Sequence, residues 1–163
     1  MAEVYLALGS NQNNPIKQLH SAIENLKNIP SIIVKKISGI YETLPIGPEQ
    51  PHFFNMAALI QTILSPHELL STLQQLEKQQ GRVKTIHWGP RTLDIDILFF
   101  DDLKIEDAIL TIPHPRLYER DFVLVPLQEI YHLPLSFDIT RLTQTILSKV
   151  SQYSYEDSQY FFN

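Results

Sequence analysis

The sequence predicts an α+β domain with a ferredoxin-like antiparallel sheet, in the order βαββαβ, and helices packed on both faces. Several short stretches alternate apolar and polar residues with period two, and two others carry apolar residues at helical spacing. These strand and helix signals succeed one another without a linker or an internal repeat. The 163 residues, 44% of them hydrophobic, suffice for one core. We therefore interpret residues 1–163 as a single domain.

The composition argues against several classes of function. A net charge of −5 argues against a general nucleic-acid binder. The absence of cysteine excludes a disulfide scaffold, a thiolate zinc site and a cysteine nucleophile. No run approaches the ~18 apolar residues of a membrane span, and Met1 to Ser10 lacks the features of a secretory signal. We expect a cytoplasmic monomer whose partners are neither nucleic acids nor membranes.

The first elements are a buried strand and an amphipathic helix. Val4 to Leu8 is an apolar run that ends in a turn at Gly9, and Asn14-Pro15 predicts an N-cap followed by proline at the first helical position. One glycine is too few for a phosphate-binding loop, so we interpret Gly9 as structural. The apolar stripe of the helix comprises Ile16, Leu19, Ile23 and Leu26.

Two strands and a proline-rich loop follow. Residues 32–41 are rich in β-branched side chains and predict one strand, which Lys35 and Lys36 place at an edge. Residues 42–51 contain three prolines and a glycine, which is typical of a binding loop of restricted conformation. Residues 53–64 alternate again. Asn55 on this largely apolar strand either bonds to neighbouring backbone or reads the edge of a heterocycle.

A second helix begins at a capping box, Ser65 to Glu68, and Gly81 fits its C-terminal end. Its buried stripe is Leu69, Leu70, Leu73 and Leu76. The basic segment from Arg82 to Pro90 has little apolar anchoring. It is either an ordinary connector or a loop that closes over a polyphosphate.

The strand that follows carries the strongest chemical signal. From Thr92 the alternation places Leu93, Ile95, Ile97 and Phe99 on one face, and Asp94, Asp96, Leu98 and Phe100 on the other. Two residues along a strand span roughly 7 Å, so both carboxylates can converge on one divalent cation, or on two cations about 3.5–4 Å apart. Arg91, on a Gly-Pro turn, can reach a phosphate held there. The alternative is a solvated face of the sheet.

The last third contains further basic and aromatic candidates. His114 lies between two prolines and suits a positioned donor, while Arg116 and Arg120 add phosphate-binding capacity. Residues 122–130 predict a short helix. Asp138 would cap a final helix with the stripe Ile139, Leu142, Ile146 and Val150, and the polar and aromatic tail 151–163 shows no pattern that predicts an element.

The segment from His87 to Leu98 carries a basic or His residue, any residue, Gly-Pro-Arg, two residues, Asp, an aliphatic residue, Asp and two aliphatic residues. This pattern resembles the signature of the 6-hydroxymethyl-7,8-dihydropterin pyrophosphokinase family. The resemblance extends to about Val150, through segments 8–11, 41–48, 77–83 and 112–127 and through Asn55. It implies transfer of the β,γ-pyrophosphoryl group of ATP to the hydroxymethyl group of a reduced pterin, with release of AMP, in tetrahydrofolate biosynthesis.

The resemblance also implies roles for individual residues. Asp94 and Asp96 would hold two Mg²⁺ ions, and Arg82 and Arg91 would neutralise the charge that develops during transfer. The residues implied in ATP binding are Gln74, Glu77, Lys84, Arg91, Ile97, His114, Arg116 and Arg120. The residues implied in pterin binding are Thr43, Leu44, Ile46, Phe53, Asn55, Trp88 and Phe122.

Three positions depart from the family's pattern. Lys84 stands where Arg is frequent, Phe53 where Tyr is frequent and Leu44 where Pro is frequent; the first replaces a bidentate phosphate contact by a point charge. Two other functions remain alternatives at this stage. A two-metal phosphohydrolase or nuclease would use the same Asp pair with water as the acceptor, and a ferredoxin-like regulatory module would bind a ligand without turnover.

Overall fold

A computed structural model describes residues 1–81, 88–137 and 139–151. The helices are α1 (Pro15–Lys27), α2 (Pro66–Gln79) and α3 (Asp121–Ile130), and a short 3-10 helix spans Leu117–Glu119. The strands are β1 (Ala2–Ser10), β2 (Ile32–Ile37), β3 (Ile40–Thr43), β4 (Phe53–Thr62), β5 (Asp94–Phe100), β6 (Ile105–Glu106), β7 (Thr111–Ile112) and β8 (Ile146–Ser151).

Among the described residues, six strands form one antiparallel sheet in the order β5-β1-β4-β3-β8, and β2 pairs with the later part of β4. Helix α1 connects β1 to β2, and β4 lies between these two strands in the sheet, as in a split βαβ unit. Strands β6 and β7 form a separate hairpin. The predicted ferredoxin-like antiparallel sheet is confirmed.

Helices cover both faces of this sheet, as predicted. The stripes of α1 and α2 pack against one face; for example, Leu19, Ile23 and Leu73 are fully buried there. Helix α3 packs against the other face through Leu124 and Leu127. The described residues thus form a single α+β domain with two apolar layers, one on each side of the sheet.

Two helix ends follow the predicted chemistry and one does not. The capping box is present at α2, where Ser65 and Glu68 exchange hydrogen bonds, and Gly81 adopts a φ of 94° just past the helix end. Pro15 occupies the first position of α1, as predicted. Asn14 precedes it with a φ of 62° and makes no side-chain capping hydrogen bond, so this cap differs from the prediction.

The predicted single strand over residues 32–41 is two strands. The strand is interrupted at Ser38-Gly39, where the Ser38 hydroxyl accepts a hydrogen bond from the Ala57 backbone N–H at 2.8 Å. Strands β2 and β3 then pair with different parts of β4. The edge position predicted for Lys35 and Lys36 is correct, since β2 pairs only with β4 among the described strands.

The predicted final helix is wrong, because residues Ile146–Ser151 form strand β8 beside β3. The apolar positions 142, 146 and 150 are spaced by four residues, which is one turn of a helix but also an even step along a strand. Ile139 is 77% exposed and so supports no buried helical stripe. Asp138, the proposed cap, and the tail 152–163 lie outside the described residues.

The alternation of β5 holds only as far as Leu98. A bulge displaces the register between β1 and β5, so that Leu6 pairs with Ile97 and Tyr5 with Phe99. Leu98 and Phe99 both pack on the α3 side, and Phe100 returns to the core beneath α1 and α2. The predicted faces of Phe99 and Phe100 are therefore exchanged, whereas those of Asp94 and Asp96 are unaffected. In the described part of the chain, no helix has the length and apolarity needed to span a membrane.

Candidate active site

A cleft of about 300 Å³ opens on the α3 side of the sheet. Its floor is the end of β1 with the start of β5, and its walls are the loop after β3, the turn before β5 and the start of α3. The lining residues are Ala7, Leu8, Gly9, Thr43, Leu44, Ile46, Phe53, Asn55, Trp88, Gly89, Arg91, Asp94, Asp96, Arg116, Glu119, Arg120, Phe122, Val123, Arg141 and Thr143.

The sheet register creates one row of residues across this floor. Gly9 pairs with Asn55 on β4 and with Asp94 on β5. Neighbouring strands lie ~4.8 Å apart, so the backbones of Asn55 and Asp94 are separated by about 10 Å. A methyl group at Gly9 would lie 2.7 Å from Asn55 Oδ1, closer than real contacts allow. Gly9 therefore has the structural role predicted for it, because it leaves space between the amide and the carboxylate.

All seven residues that the resemblance implies in pterin binding line the cleft. Asn55 is 9% exposed, and its Nδ2 donates to Thr43 Oγ1 at 2.8 Å. In the described residues, the Asn55 side chain is therefore hydrogen bonded to the Thr43 side chain and not to neighbouring backbone. Phe53 and Phe122 supply aromatic surface, and Trp88 lies at the rim, with a φ of 56°. The cleft combines apolar faces with one oriented amide, a combination suited to a flat polar heterocycle.

Cationic side chains surround the acidic end of the cleft. Arg91, Arg116 and Arg120 line it together with Asp94 and Asp96. Arg91 is held in place, since its backbone N–H donates to Asn11 Oδ1 at 2.8 Å and its Nη1 donates to the carbonyls of Gly89 and Pro90 at 3.0 Å. The Arg116 guanidinium carbon lies 5.1 Å from the Trp88 ring centroid, and that of Arg120 lies 5.5 Å from the Phe122 ring centroid.

Burial perturbs two of the basic groups beside the Asp pair. Desolvation, together with the nearby charges of Arg120 and Arg116 and against the opposing charge of Asp94, lowers the pKa of His114 to about 4. Its Nε2 lies 3.9 Å from Asp96 Oδ2. Burial also lowers the pKa of Arg120, against the raising effect of Asp96. At neutral pH His114 is therefore a neutral hydrogen-bonding group.

Four residues implied in ATP binding lie outside this cleft. Gln74 is exposed on α2, Ile97 is buried in the core, and His114 contacts Asp96 without lining the cleft. Glu77 is buried, and its Oε1 accepts a hydrogen bond from the Ile95 backbone N–H at 2.8 Å. Glu77 thus holds the outer edge of β5 between the two aspartates. Arg82 and Lys84 lie outside the described residues.

Comparisons with known proteins agree with this geometry. The sequence profile of the 7,8-dihydro-6-hydroxymethylpterin-pyrophosphokinase (HPPK) family matches residues 5–132. The chain belongs to this family. It is 44% identical to a 2-amino-4-hydroxy-6-hydroxymethyldihydropteridine pyrophosphokinase of Haemophilus influenzae over 148 residues, covering 88% of this chain and 92% of that protein. It is 50% identical to the protein of that name from Bacillus subtilis over 127 residues, covering 77% and 76% of the two chains.

A solved structure has the same fold. A crystal structure described as HPPK-DHPS in complex with substrates superposes with a TM-score of 0.65 at 17% identity, covering 79% of this chain and 40% of that chain. The chain is thus an HPPK enzyme, a pteridine pyrophosphokinase of folate biosynthesis.

HPPK enzymes use Mg-ATP, and the residues present in this cleft fit that ion. Asp94 and Asp96 project from the same face of β5 into the cleft and offer carboxylate oxygens, the ligands that Mg²⁺ prefers. In the described ranges no group of three or more His, Cys, Asp or Glu side chains could form an all-protein cage. This donor set suits an ion whose coordination is completed by water and phosphate oxygens.

The sequence interpretation missed three polar residues of this HPPK cleft. Glu119, Arg141 and Thr143 line it, and Arg141 Nη1 lies 3.5 Å from Glu119 Oε1. Glu119 has no sequence signal beyond its position in the segment from Arg116 to Arg120. Arg141 and Thr143 fall within the predicted final helix. The β-branched residues Thr140, Thr143, Thr145 and Ile146 were the available signal for extended structure there.

Proposed function

We propose that this cleft binds 6-hydroxymethyl-7,8-dihydropterin and ATP side by side, and that Asp94 and Asp96 would hold two Mg²⁺ ions there. The hydroxymethyl oxygen attacks the β-phosphorus of ATP, and the bond from that phosphorus to the oxygen of the α-phosphate breaks. The products are the pterin diphosphate, AMP and the proton of the hydroxyl group. The row Asn55-Gly9-Asp94 carries the proposal, because it places an amide and a carboxylate on strands whose backbones are about 10 Å apart across an open floor.

The apolar end of the cleft supports the pterin assignment. We place the pterin ring between Phe53 and Phe122, with Asn55 and Thr43 hydrogen bonding to its amide-like edge. Asn55 is already oriented by its hydrogen bond to Thr43, so little conformational freedom is lost when the ring binds. Leu44 and Ile46 supply backbone and edge contacts, and Trp88 covers the ring at the rim.

The polar end supports the triphosphate assignment. Asp94 and Asp96 would hold the two Mg²⁺ ions, which would neutralise phosphate charge and bring the triphosphate close to the hydroxymethyl group. Arg91, Arg116 and Arg120 would bind phosphate oxygens, with Arg82 and Lys84 contributing from the preceding segment. Gln74, Glu77, Ile97 and His114 would belong to the ATP side. Catalysis then consists of positioning and charge neutralisation, without a covalent intermediate.

The experiment that tests this proposal measures AMP release from ATP and Mg²⁺, with and without the pterin. We expect one AMP for each pterin diphosphate, formed only when pterin is present, and no turnover in excess EDTA. Pterin-independent release of ADP or phosphate would indicate the phosphohydrolase instead. Binding without turnover would indicate the regulatory module.

The setting of the enzyme is part of the same proposal. We propose a cytoplasmic monomer that acts on small molecules and binds neither nucleic acid nor membrane. The net charge of −5 supports the exclusion of nucleic acid. Sedimentation of the purified protein would test the monomer, and a mass of twice 18.8 kDa would contradict it.

A further inference from the structure

The segment of residues 141–146, which we call the strap, joins two walls of the cleft. At one end Arg141 and Thr143 line the cleft beside α3. At the other end Ile146 pairs with Thr43 of β3, and the Thr145 carbonyl accepts a hydrogen bond from the Leu44 N–H at 2.8 Å. The strap therefore connects the start of α3 with the first residues of the proline-rich loop.

One buried carboxylate holds the strap in place. Asp121, the first residue of α3, is 7% exposed. Its Oδ1 accepts from the hydroxyls of Thr143 and Thr145, both at 2.6 Å. Its Oδ2 accepts from the backbone N–H groups of Thr145 at 2.7 Å and Ile146 at 3.0 Å. A fifth hydrogen bond comes from its neighbour, the Phe122 N–H, at 2.9 Å.

These five hydrogen bonds reach both sides of the pterin pocket. Phe122, one of the two aromatic walls, directly follows Asp121. The strap leads through Thr145 and Ile146 to Thr43 and Leu44, and Thr43 in turn orients Asn55. We infer that Asp121 is a positioning residue for the pterin pocket, which fixes the strap and thereby sets the distance between Phe122 and the Thr43–Asn55 pair. This inference rests on the proposed function.

The same helix provides a matched comparison. Glu129, near the other end of α3, accepts hydrogen bonds from the Tyr41 hydroxyl, from the Gly39 N–H at 3.2 Å and from Lys149 Nζ at 3.1 Å. It therefore also ties α3 to β3 and β8, but none of these partners lines the cleft. A purely structural role for Asp121 predicts that removing either carboxylate has the same effect on binding.

The test measures the dissociation constants of pterin and of a non-hydrolysable ATP analogue by calorimetry for Asp121→Ala, Asp121→Asn and Glu129→Ala. We expect Asp121→Ala to weaken pterin binding about tenfold or more while the analogue changes by less than about threefold. Glu129→Ala should change neither by more than about threefold. The amide introduced by Asp121→Asn can still accept from the N–H groups of Thr145 and Ile146 and donate to both threonine hydroxyls, and it loses the hydrogen bond from the Phe122 N–H. Because the hydrogen bonds to the strap are kept, this variant should recover most of the pterin affinity.

Three outcomes would overturn the inference: an unchanged pterin affinity in Asp121→Ala, equal losses of pterin and analogue, or the same pterin loss in Glu129→Ala. If Asp121→Ala does not fold, Thr145→Val removes one hydroxyl donor while it preserves shape. An unchanged pterin affinity in that variant would be equally decisive. The wild-type AMP assay separates this inference from the proposed function, since its failure would refute the latter without reference to any variant.

Discussion

At the scale of single residues, the cleft depends on what lies between Asn55 and Asp94. Gly9 separates them in the sheet, and no larger residue fits there without displacing the Asn55 amide. The two aspartates project from the same face of β5, where like charges repel each other, although the charge of Arg120 acts favourably on both. Each of these arrangements serves binding at some cost to the stability of the unliganded protein.

Asp96→Ala should remove most of the turnover and leave thermal stability unchanged or higher. If Asp96 is the Mg²⁺ ligand that we propose, its loss lowers kcat by about 10²-fold or more. Relief of carboxylate repulsion opposes any loss of stability. Steady-state kinetics and thermal unfolding without Mg²⁺ measure the two effects. Near-normal turnover would refute the metal-binding role.

Gly9→Ala should weaken pterin binding by about tenfold or more and affect ATP binding less. The added methyl group would lie 2.7 Å from Asn55 Oδ1, so the amide must turn away from the ring edge. In the proposed binding mode, a displaced amide loses hydrogen bonds of about 1–3 kcal/mol to the pterin. Calorimetric titration of each ligand measures the difference. Ala7→Gly, at another floor position, serves as a control, and equal effects of the two substitutions would contradict the role of Gly9.

At the scale of elements, interactions within one element can be distinguished from interactions between elements by their effects on stability and on binding. Helix α2 begins at a capping box, whose residues are remote from the cleft lining. The hydrogen bonds between Asp121 and the strap are of another kind, because they join the first residue of α3 to a separate segment of the chain. The first kind of interaction should affect stability alone, and the second should affect binding as well.

Ser65→Ala should destabilise the folded protein by about 1 kcal/mol without changing either KM. The substitution removes the hydroxyl that accepts from the Glu68 N–H and leaves one end of α2 uncapped. Urea unfolding and steady-state kinetics provide the two measurements. Ser71→Ala, at an exposed position within α2, is the matched control, and an equal loss of stability in that control would show that capping is not the cause.

At the scale of the whole molecule, pH affects stability through Asp121, which links α3 to the strap and to β8. Burial favours a higher pKa for Asp121, but the hydrogen bonds from Thr143, Thr145 and Ile146 outweigh it and lower the pKa. A lowered pKa in the folded state means that ionised Asp121 stabilises the protein above the pKa of the unfolded chain. That stabilisation is lost as the pH falls below about 3.8.

The difference in unfolding free energy between the wild type and Asp121→Asn should therefore be constant at pH 5–7 and decrease below about pH 4. Denaturant unfolding at several pH values measures this difference. The variant cannot ionise at position 121, so it serves as the reference for the other carboxylates. A difference that grows as the pH falls would mean that the sign of the pKa shift is wrong.

The amino-acid sequence by itself determined the features that depend on local pattern. The alternation in β4 and β5, the stripes of α1 and α2, the capping box and the prediction of an antiparallel sheet with helices on both faces all follow from periods of two and 3.6 residues. The resemblance of His87 to Leu98 identified the family, and the residues implied in pterin binding lie together in the cleft.

Only the tertiary structure decided the features that depend on hydrogen bonds between segments far apart in the sequence. Spacing by four residues is compatible with a helix and with a strand, and residues 146–151 became a strand because β3 and the Asp121 carboxylate bind their backbone. The bulge at Leu98 and the break at Ser38 likewise arise from pairing with β1 and β4. Arg141, Thr143 and Glu119 reach the cleft for the same reason: hydrogen bonds between remote segments outweigh weak local preference.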